Sequence, residues 1–447
     1  MEKLKNGGRY LAQTTPFILS NTIIIVPYLL YIHLINGEIP ITVLPFVLFY
    51  TLRMTGIFLI RGIQRSIEKY TLLMLALLVG AAGSIFSLLG TIYFPFYLVG
   101  AIGLGLSGAW LPPANVTVNF YEKNQGYLVM NGQKYLAALG LLVPLILSLT
   151  AKLRLQLVLV PIVYTLYFIW AYFAVLRYPH YELDFKGISK NLLSVRELFW
   201  FGLFFGLLFL LRSARALFEE DILNLAILAF CVFFIFAVFL LHRWKSRWQL
   251  PGWQNGLSFL AGSCGNFLFL FGTFYVAVVY GKEALTRQLF LPYLIGMMTA
   301  LFFGARLRRR FSEQPLWFHL MGLVVSLALM LTPLFSLAVG LLAFFRQSTS
   351  TWLNQVYGRT TSLAESQRIT AKYATNNRGS IVQQFFLMLL ILFFLQRAGL
   401  PANELFFLTN LHSSAPSVVL VMEQVKLWSC VTLIFLLLMI GSLKKCD

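Results

Sequence analysis

Apolar runs long enough to cross a bilayer recur from end to end of this 447-residue chain, and they leave few folds open. A span needs about 20 apolar residues to cross roughly 30 Å of hydrocarbon. Runs of this length imply an all-α integral membrane protein. Composition agrees, with 59% hydrophobic and 11% charged residues against roughly 25% charged in soluble domains.

Fourteen segments can be counted. The first six lie near Phe17 to Ile35, Ile39 to Ile60, Tyr70 to Tyr93, Phe96 to Phe120, Tyr127 to Ala151 and Leu155 to Leu176. Leu198 to Leu217 and Ile222 to Leu241 follow a polar loop. The last six are Gly256 to Tyr280, Leu285 to Gly304, Leu316 to Leu331, Leu334 to Leu353, Ile381 to Leu395 and Val425 to Leu443. The run from Leu316 to Leu353 would be about 57 Å long as one helix. It is broken at Thr332-Pro333, where proline removes a donor. The basic start leads into a long apolar run with no small-residue cleavage site, so no cleaved leader is expected.

Basic residues orient the spans, because Lys and Arg collect in cytoplasmic loops. With the N-terminus inside, the inner loops hold clusters such as Arg306, Arg308, Arg309 and Arg310, and Arg359, Arg368, Lys372 and Arg378. Outer loops hold fewer, among them Arg212 and Lys426, a bias of roughly threefold. Both termini are thus expected in the cytoplasm. The formal net charge of +19 is then an orientation signal, and no nucleic-acid partner is invoked. Four cysteines without metal spacing imply neither a disulfide framework nor a metal site.

Gly100 to Phe120 carries its small residues and prolines in a pattern that lipid solubility alone does not require. It resembles the fourth span of the major facilitator superfamily, in the fourteen-span drug:proton antiporter family of multidrug exporter B-like proteins. Gly105, Ala109 and Pro113 stand in register, while Ala101 replaces the family Arg and Leu104 the Gln. LSNTIIIVP in span 1 keeps Thr22 and Ile23, with Ser20 at the Asp position and Ile25 at the Asn position. Gly140 and Pro144 stand for the close-packing Gly-Pro pair of span 5, with Val143 before the proline. Gly62 and Gly304, each ahead of basic residues, resemble the loop that joins the second and third spans of each half.

The resemblance implies a major-facilitator fold of 14 helices: an N-terminal six-helix bundle over 1–178, a linker and inserted pair (spans 7 and 8) over 179–250, and a C-terminal bundle over 251–447. It implies a substrate cavity between related halves. It also implies an exporter of an amphiphile, not an enzyme, with a periplasmic adaptor protein and an outer-membrane channel as partners. No cofactor is expected.

Ionisable groups at membrane depth are costly and functional by default. Arg53, Lys134 and Arg346 are at that depth, and none of the 16 acidic residues is well inside a span. Arg346 lies 42 residues past Gly304 as Leu104 lies past Gly62, which makes it the second-half counterpart of the span 4 cavity positions. The expected cavity residues are Ser20, Arg53, Leu104, Trp110, Asn115, Lys134 and Arg346. Lys134 could equally snorkel to the headgroups, and Arg53 could serve backbone carbonyls. Arg346 opens a polar strip through Thr351 that is too wet for lipid. With arginine in place of a carboxylate, an anionic or neutral amphiphile is expected. A lipid flippase or a transport-deficient scaffold is the alternative. No metal-binding His-Glu pair, nucleophile elbow or phosphate loop suggests an embedded enzyme.

Overall fold

The computed structural model describes residues 2–34, 39–63, 68–130, 132–183, 195–217, 225–233, 236, 250–311, 314–363, 365–401 and 416–443. All regular structure among them is helical. Eight helices are long and apolar enough to cross a membrane, or nine if a bent pair near the N-terminus forms one span. The count of fourteen is therefore not reached among the described residues. Two shorter apolar helices, Ala137–Leu149 and Pro315–Leu329, fall below the length of a span. Part of the expected inserted pair lies outside the described residues. The chain divides into two units, residues 1–213 with 365–370, and residues 214–364 with 371–447.

In the first unit, α1 (Glu2–Thr22) and α2 (Val26–Ile32) meet at a bend of 48°. Pro27, near the start of α2, withholds the N–H that would continue the ladder across the bend. There follow α3 (Leu44–Ile63), α4 (Lys69–Leu89), α5 (Pro95–Asn124), α6 (Gly132–Leu149), α7 (Leu153–Val175) and α8 (Val195–Leu217).

The centre of this unit is α5, and its glycines explain why. Gly100 and Gly103 face α4 so closely that a Cβ on Gly103 would stand 2.8 Å from the Cα of Gly83. Gly105 faces α3, where a Cβ would meet the Phe49 carbonyl oxygen at 2.8 Å. Two neighbours can therefore press against one helix backbone. Lipid tails are as apolar as side chains, so this close approach and the polar ties across it hold membrane helices together. Ser107 donates to the Ala76 carbonyl at 2.8 Å, and Trp110 donates to the Gly56 carbonyl at 2.9 Å.

In the second unit, α9 (Gly252–Val279) is interrupted by a π turn over Phe267–Phe271, and a second π turn over Thr286–Phe290 leads into α10 (Leu291–Arg309). There follow α11 (Pro315–Leu329), α12 (Phe335–Gly358), α13 (Glu365–Arg397) and α14 (Pro416–Leu443). The break between α11 and α12 brackets Thr332-Pro333, as the sequence requires. The sequence reading starts the penultimate span at Ile381 and the last at Val425. Both helices begin earlier, and this changes the place of Lys372 and Lys426. Residues that look like loop are helical because their polar side chains turn toward other helices.

Candidate functional site

Each unit holds cations inside its helices, and their surroundings differ from those expected of loop charges. In the first unit Arg212, read from sequence as an outer-loop residue, is buried in α8. Its guanidinium donates to Thr51 Oγ1 at 3.2 Å and lies 3.0 Å from Met54 Sδ. The same group stacks 3.8 Å from the centre of the Tyr50 ring. Arg53 approaches that ring too, with its guanidinium carbon at 5.4 Å. Phe46, Tyr50 and Arg53 fall on one face of α3, four and then three residues apart. Tyr28 of α2 meets Phe46 and Tyr50 edge-on at 5.2 and 5.7 Å. The result is an aromatic wall with guanidinium groups at one end.

In the second unit the cations are Arg346 on α12 and Lys372 on α13. Lys372 is fully buried. Its ammonium donates to the Ser350 carbonyl at 3.1 Å, Ser350 Oγ at 2.7 Å and Asn354 Oδ1 at 2.8 Å. These bonds use all three of its protons. Lys372 therefore fastens α13 to α12 and has none left to offer a ligand. Arg346, a neighbour in the electrostatic sense, is different. Its guanidinium lies against Gly265 of α9, where a Cβ would come within 2.6 Å of its central carbon. One nitrogen reaches Tyr293 Oη of α10 at the long distance of 3.5 Å, and the buried Nε has no hydrogen-bond partner among the described residues. No described carboxylate stands within ion-pair distance of Arg346 or Lys372.

The small residues of α9 make this arrangement possible. Ser258 donates to the Lys372 carbonyl, Ser263 to the Gly379 carbonyl, and Ser380 returns a bond to the Gly262 carbonyl at 2.9 Å. A Cβ on Gly262 would run into the Asn376 backbone carbonyl, whose carbon would lie at 2.8 Å, so α9 and α13 touch backbone to backbone.

The other residues singled out in the sequence are dispersed. Ser20 bonds its own helix at the Pro16 carbonyl, and Leu104 is buried where α4 crosses α5. Trp110 ties α5 to α3 as described. Asn115 is buried with its Oδ1 unpartnered among the described residues. Lys134 is buried and turns to the Val129 carbonyl at 2.8 Å, closing the turn before α6. Ala109 packs on Gly56, the Pro113 carbonyl accepts from Thr117, and Gly304 approaches Ser348. Gly62 is in the last turn of α3. Gly140 and Pro144 are exposed, and nothing within 4 Å would meet a Cβ on Gly140, so no described helix uses this pair for close approach.

A further cluster escaped the sequence reading altogether. Glu122, near the end of α5, is fully buried. It accepts from the Tyr70 hydroxyl and pairs with His180 Nδ1 at 3.1 Å. Lys69 sits 3.3 Å over the ring of the adjacent Tyr121. Burial pushes the nearby Tyr178 hydroxyl well above the ordinary tyrosine range. The signal available was the concentration of tyrosines 121, 127, 178 and 181 around two helix ends.

Solved structures that resemble the chain include two that can be named. Both are of the nucleoside transporter NupG: one matches at 12% identity with a TM-score of 0.49, covering 99% of each chain. The other, a mutant form, matches at 13% identity with a TM-score of 0.47, over 97% of this chain and 99% of that one. At these scores the likeness assigns neither family nor substrate. No protein-family model matches the chain, and no curated protein matches it significantly.

Proposed function

We propose that this chain is a secondary transporter of the cytoplasmic membrane, of major-facilitator type, with both termini inside, that exports an anionic or neutral amphiphile by alternating access. The observation that carries the substrate class is Arg346. It is a permanent cation with an unfilled donor and no described carboxylate nearby. A guanidinium held this way can receive an acidic group in a forked pair of hydrogen bonds. Lys372 adds positive field without competing for the ligand, since its protons are already committed. The wall of Tyr28, Phe46 and Tyr50 ending at Arg53 offers a second place for an apolar body with an acidic head.

The test is flux of octyl sulfate and of octyltrimethylammonium in proteoliposomes holding the full chain. The anion should be preferred. Arg346→Gln should weaken its apparent affinity by about 10- to 100-fold, the worth of a charged hydrogen bond of roughly 1.5–3 kcal/mol. Preference for the cation, untouched by the substitution, would refute the reading.

A further inference from the structure

The acidic residues of the spanning helices in the second unit come down, among the described residues, to Glu423 on α14. It does not stand alone. Glu423 Oε2 lies 2.6 Å from the Lys426 ammonium one turn along, and Glu423 Oε1 accepts from the Tyr275 hydroxyl of α9 at 2.5 Å. Lys426 in turn donates to that same hydroxyl oxygen at 2.7 Å. The three groups close a ring that locks the last turns of α9 to α14. Lys426 was expected in an outer loop, yet its side chain is 7% exposed while that of Glu423 is 42% exposed. A proton can therefore reach the carboxylate while the ammonium stays enclosed.

Tyr275 lies one turn past the π turn of α9. Phe267, Phe271 and Tyr275 stack along that helix, with centroids 4.8 and 5.5 Å apart, and Phe335 of α12 covers Tyr275 at 4.8 Å. A π turn holds one residue more than the α-helix would. Passing it into or out of the turn rotates everything beyond by about 100°. The ring thus fastens the far side of the one place in α9 where the helix has a residue to spare.

We propose that Glu423, Lys426 and Tyr275 form a proton-binding clamp, in which the charge on Glu423 decides whether the end of α9 stays locked to α14. A proton from water adds to the carboxylate, giving the neutral acid. Lys426 then faces only neutral oxygens, those of the acid and of Tyr275, and a buried ammonium without its anion is strongly unfavourable. The clamp opens, and it closes when the proton leaves. The other titratable groups facing it are Tyr280 at the end of α9 and Cys430 one turn further along α14, with Cys264 of α9 behind. The start of α12 meets it through the Phe335 ring, and α11 meets α14 at Trp317 and Gly441, near the far end of α14. In a carrier, such a clamp is where a pH gradient acts, a consequence that rests on the transporter reading; the proton site itself does not.

Two measurements on the full chain in lipid vesicles test the clamp. The first is the infrared difference spectrum taken across the ordinary carboxylate range, from about pH 7 to about pH 3. One component of the protonated-carboxyl band that appears on acidification should be missing in Glu423→Gln and move in frequency in Glu423→Asp, which also serves if the glutamine variant does not fold. The second is octyl sulfate flux with and without an imposed pH gradient. Its stimulation, as much as about tenfold per pH unit for one coupled proton, should be abolished in Glu423→Gln and in Tyr275→Phe. An unchanged band in Glu423→Gln, or no band in the unmutated chain, overturns the proton site. Unchanged stimulation overturns the coupling. A chain that moves no octyl sulfate defeats the transporter reading instead, and the infrared result still decides the clamp.

Discussion

Two glycines of α9, one turn apart, should respond to the same added methyl group in opposite ways. At Gly262 the new Cβ would meet Asn376 Oδ1 at 2.6 Å and the Asn376 carbonyl carbon at 2.8 Å. Ordinary carbon contacts lie at about 3.5–4.0 Å, so α13 would have to retreat by roughly 1 Å. Backbone cannot fold aside. The retreat would also stretch the Ser263 and Ser380 bonds that cross the same interface. Overpacking of this kind costs about 1–3 kcal/mol, and each bond lost adds roughly 1 kcal/mol. Gly262→Ala should therefore lower the melting temperature of the purified protein by several degrees. At Gly265 the obstacle is the guanidinium of Arg346, with its central carbon at 2.6 Å and one terminal nitrogen at 2.7 Å, and the end of a long side chain can swing away. Gly265→Ala should melt close to the unmutated protein while displacing Arg346 and weakening octyl sulfate transport about as much as Arg346→Gln. Thermal unfolding followed by size-exclusion fluorescence gives the first quantity and proteoliposome flux the second. If Gly262→Ala is as stable as the parent, the backbone contact between α9 and α13 is not as described. If Gly265→Ala transports normally, Arg346 does not read the substrate from this position.

Two further outcomes are expected. Tyr70→Phe keeps the ring but takes one of the two partners from the buried Glu122 carboxylate, and should cost about 1–3 kcal/mol of stability. An equally stable variant would mean that water or another group fills the place. Trp110→Phe removes the donor to the Gly56 carbonyl while keeping most of the apolar volume, and should cost roughly 1–2 kcal/mol. A larger loss, of the size seen when a core side chain is truncated, would show that packing and not the hydrogen bond holds α3 to α5 there.

Helical character, the break at Thr332-Pro333 and the polar strip on α12 could all be read from the sequence, because each is a property of consecutive residues. α12 is long enough to span, yet its strip of Arg346 to Thr351 keeps it out of the apolar set. Arg212, Lys372 and Lys426 could not be read in the same way. Each lies within nine residues of where an apolar run stops or starts, and a run is judged by its average. A lysine that turns inward to three oxygens and one that turns outward to water look alike in such an average. What separates them is the partner, and Ser350 and Asn354 are 22 and 18 residues away from Lys372. For Arg212 the separation from Thr51 is 161 residues. Glu122 was hidden for the same reason, since one of its partners lies 52 residues back and the other 58 residues on.

The hold that Arg212 has on Tyr50 also fixes where the polypeptide can be divided. Hydropathy alone would sever the N-terminal half after residue 178, in the polar stretch before α8. A fragment ending there would lack the cation stacked on Tyr50, and Thr51 Oγ1 and Met54 Sδ would face the space left by an absent helix. Two pieces expressed side by side should reassemble more readily if the first runs on through Leu217, for α8 then travels with the helix it grips.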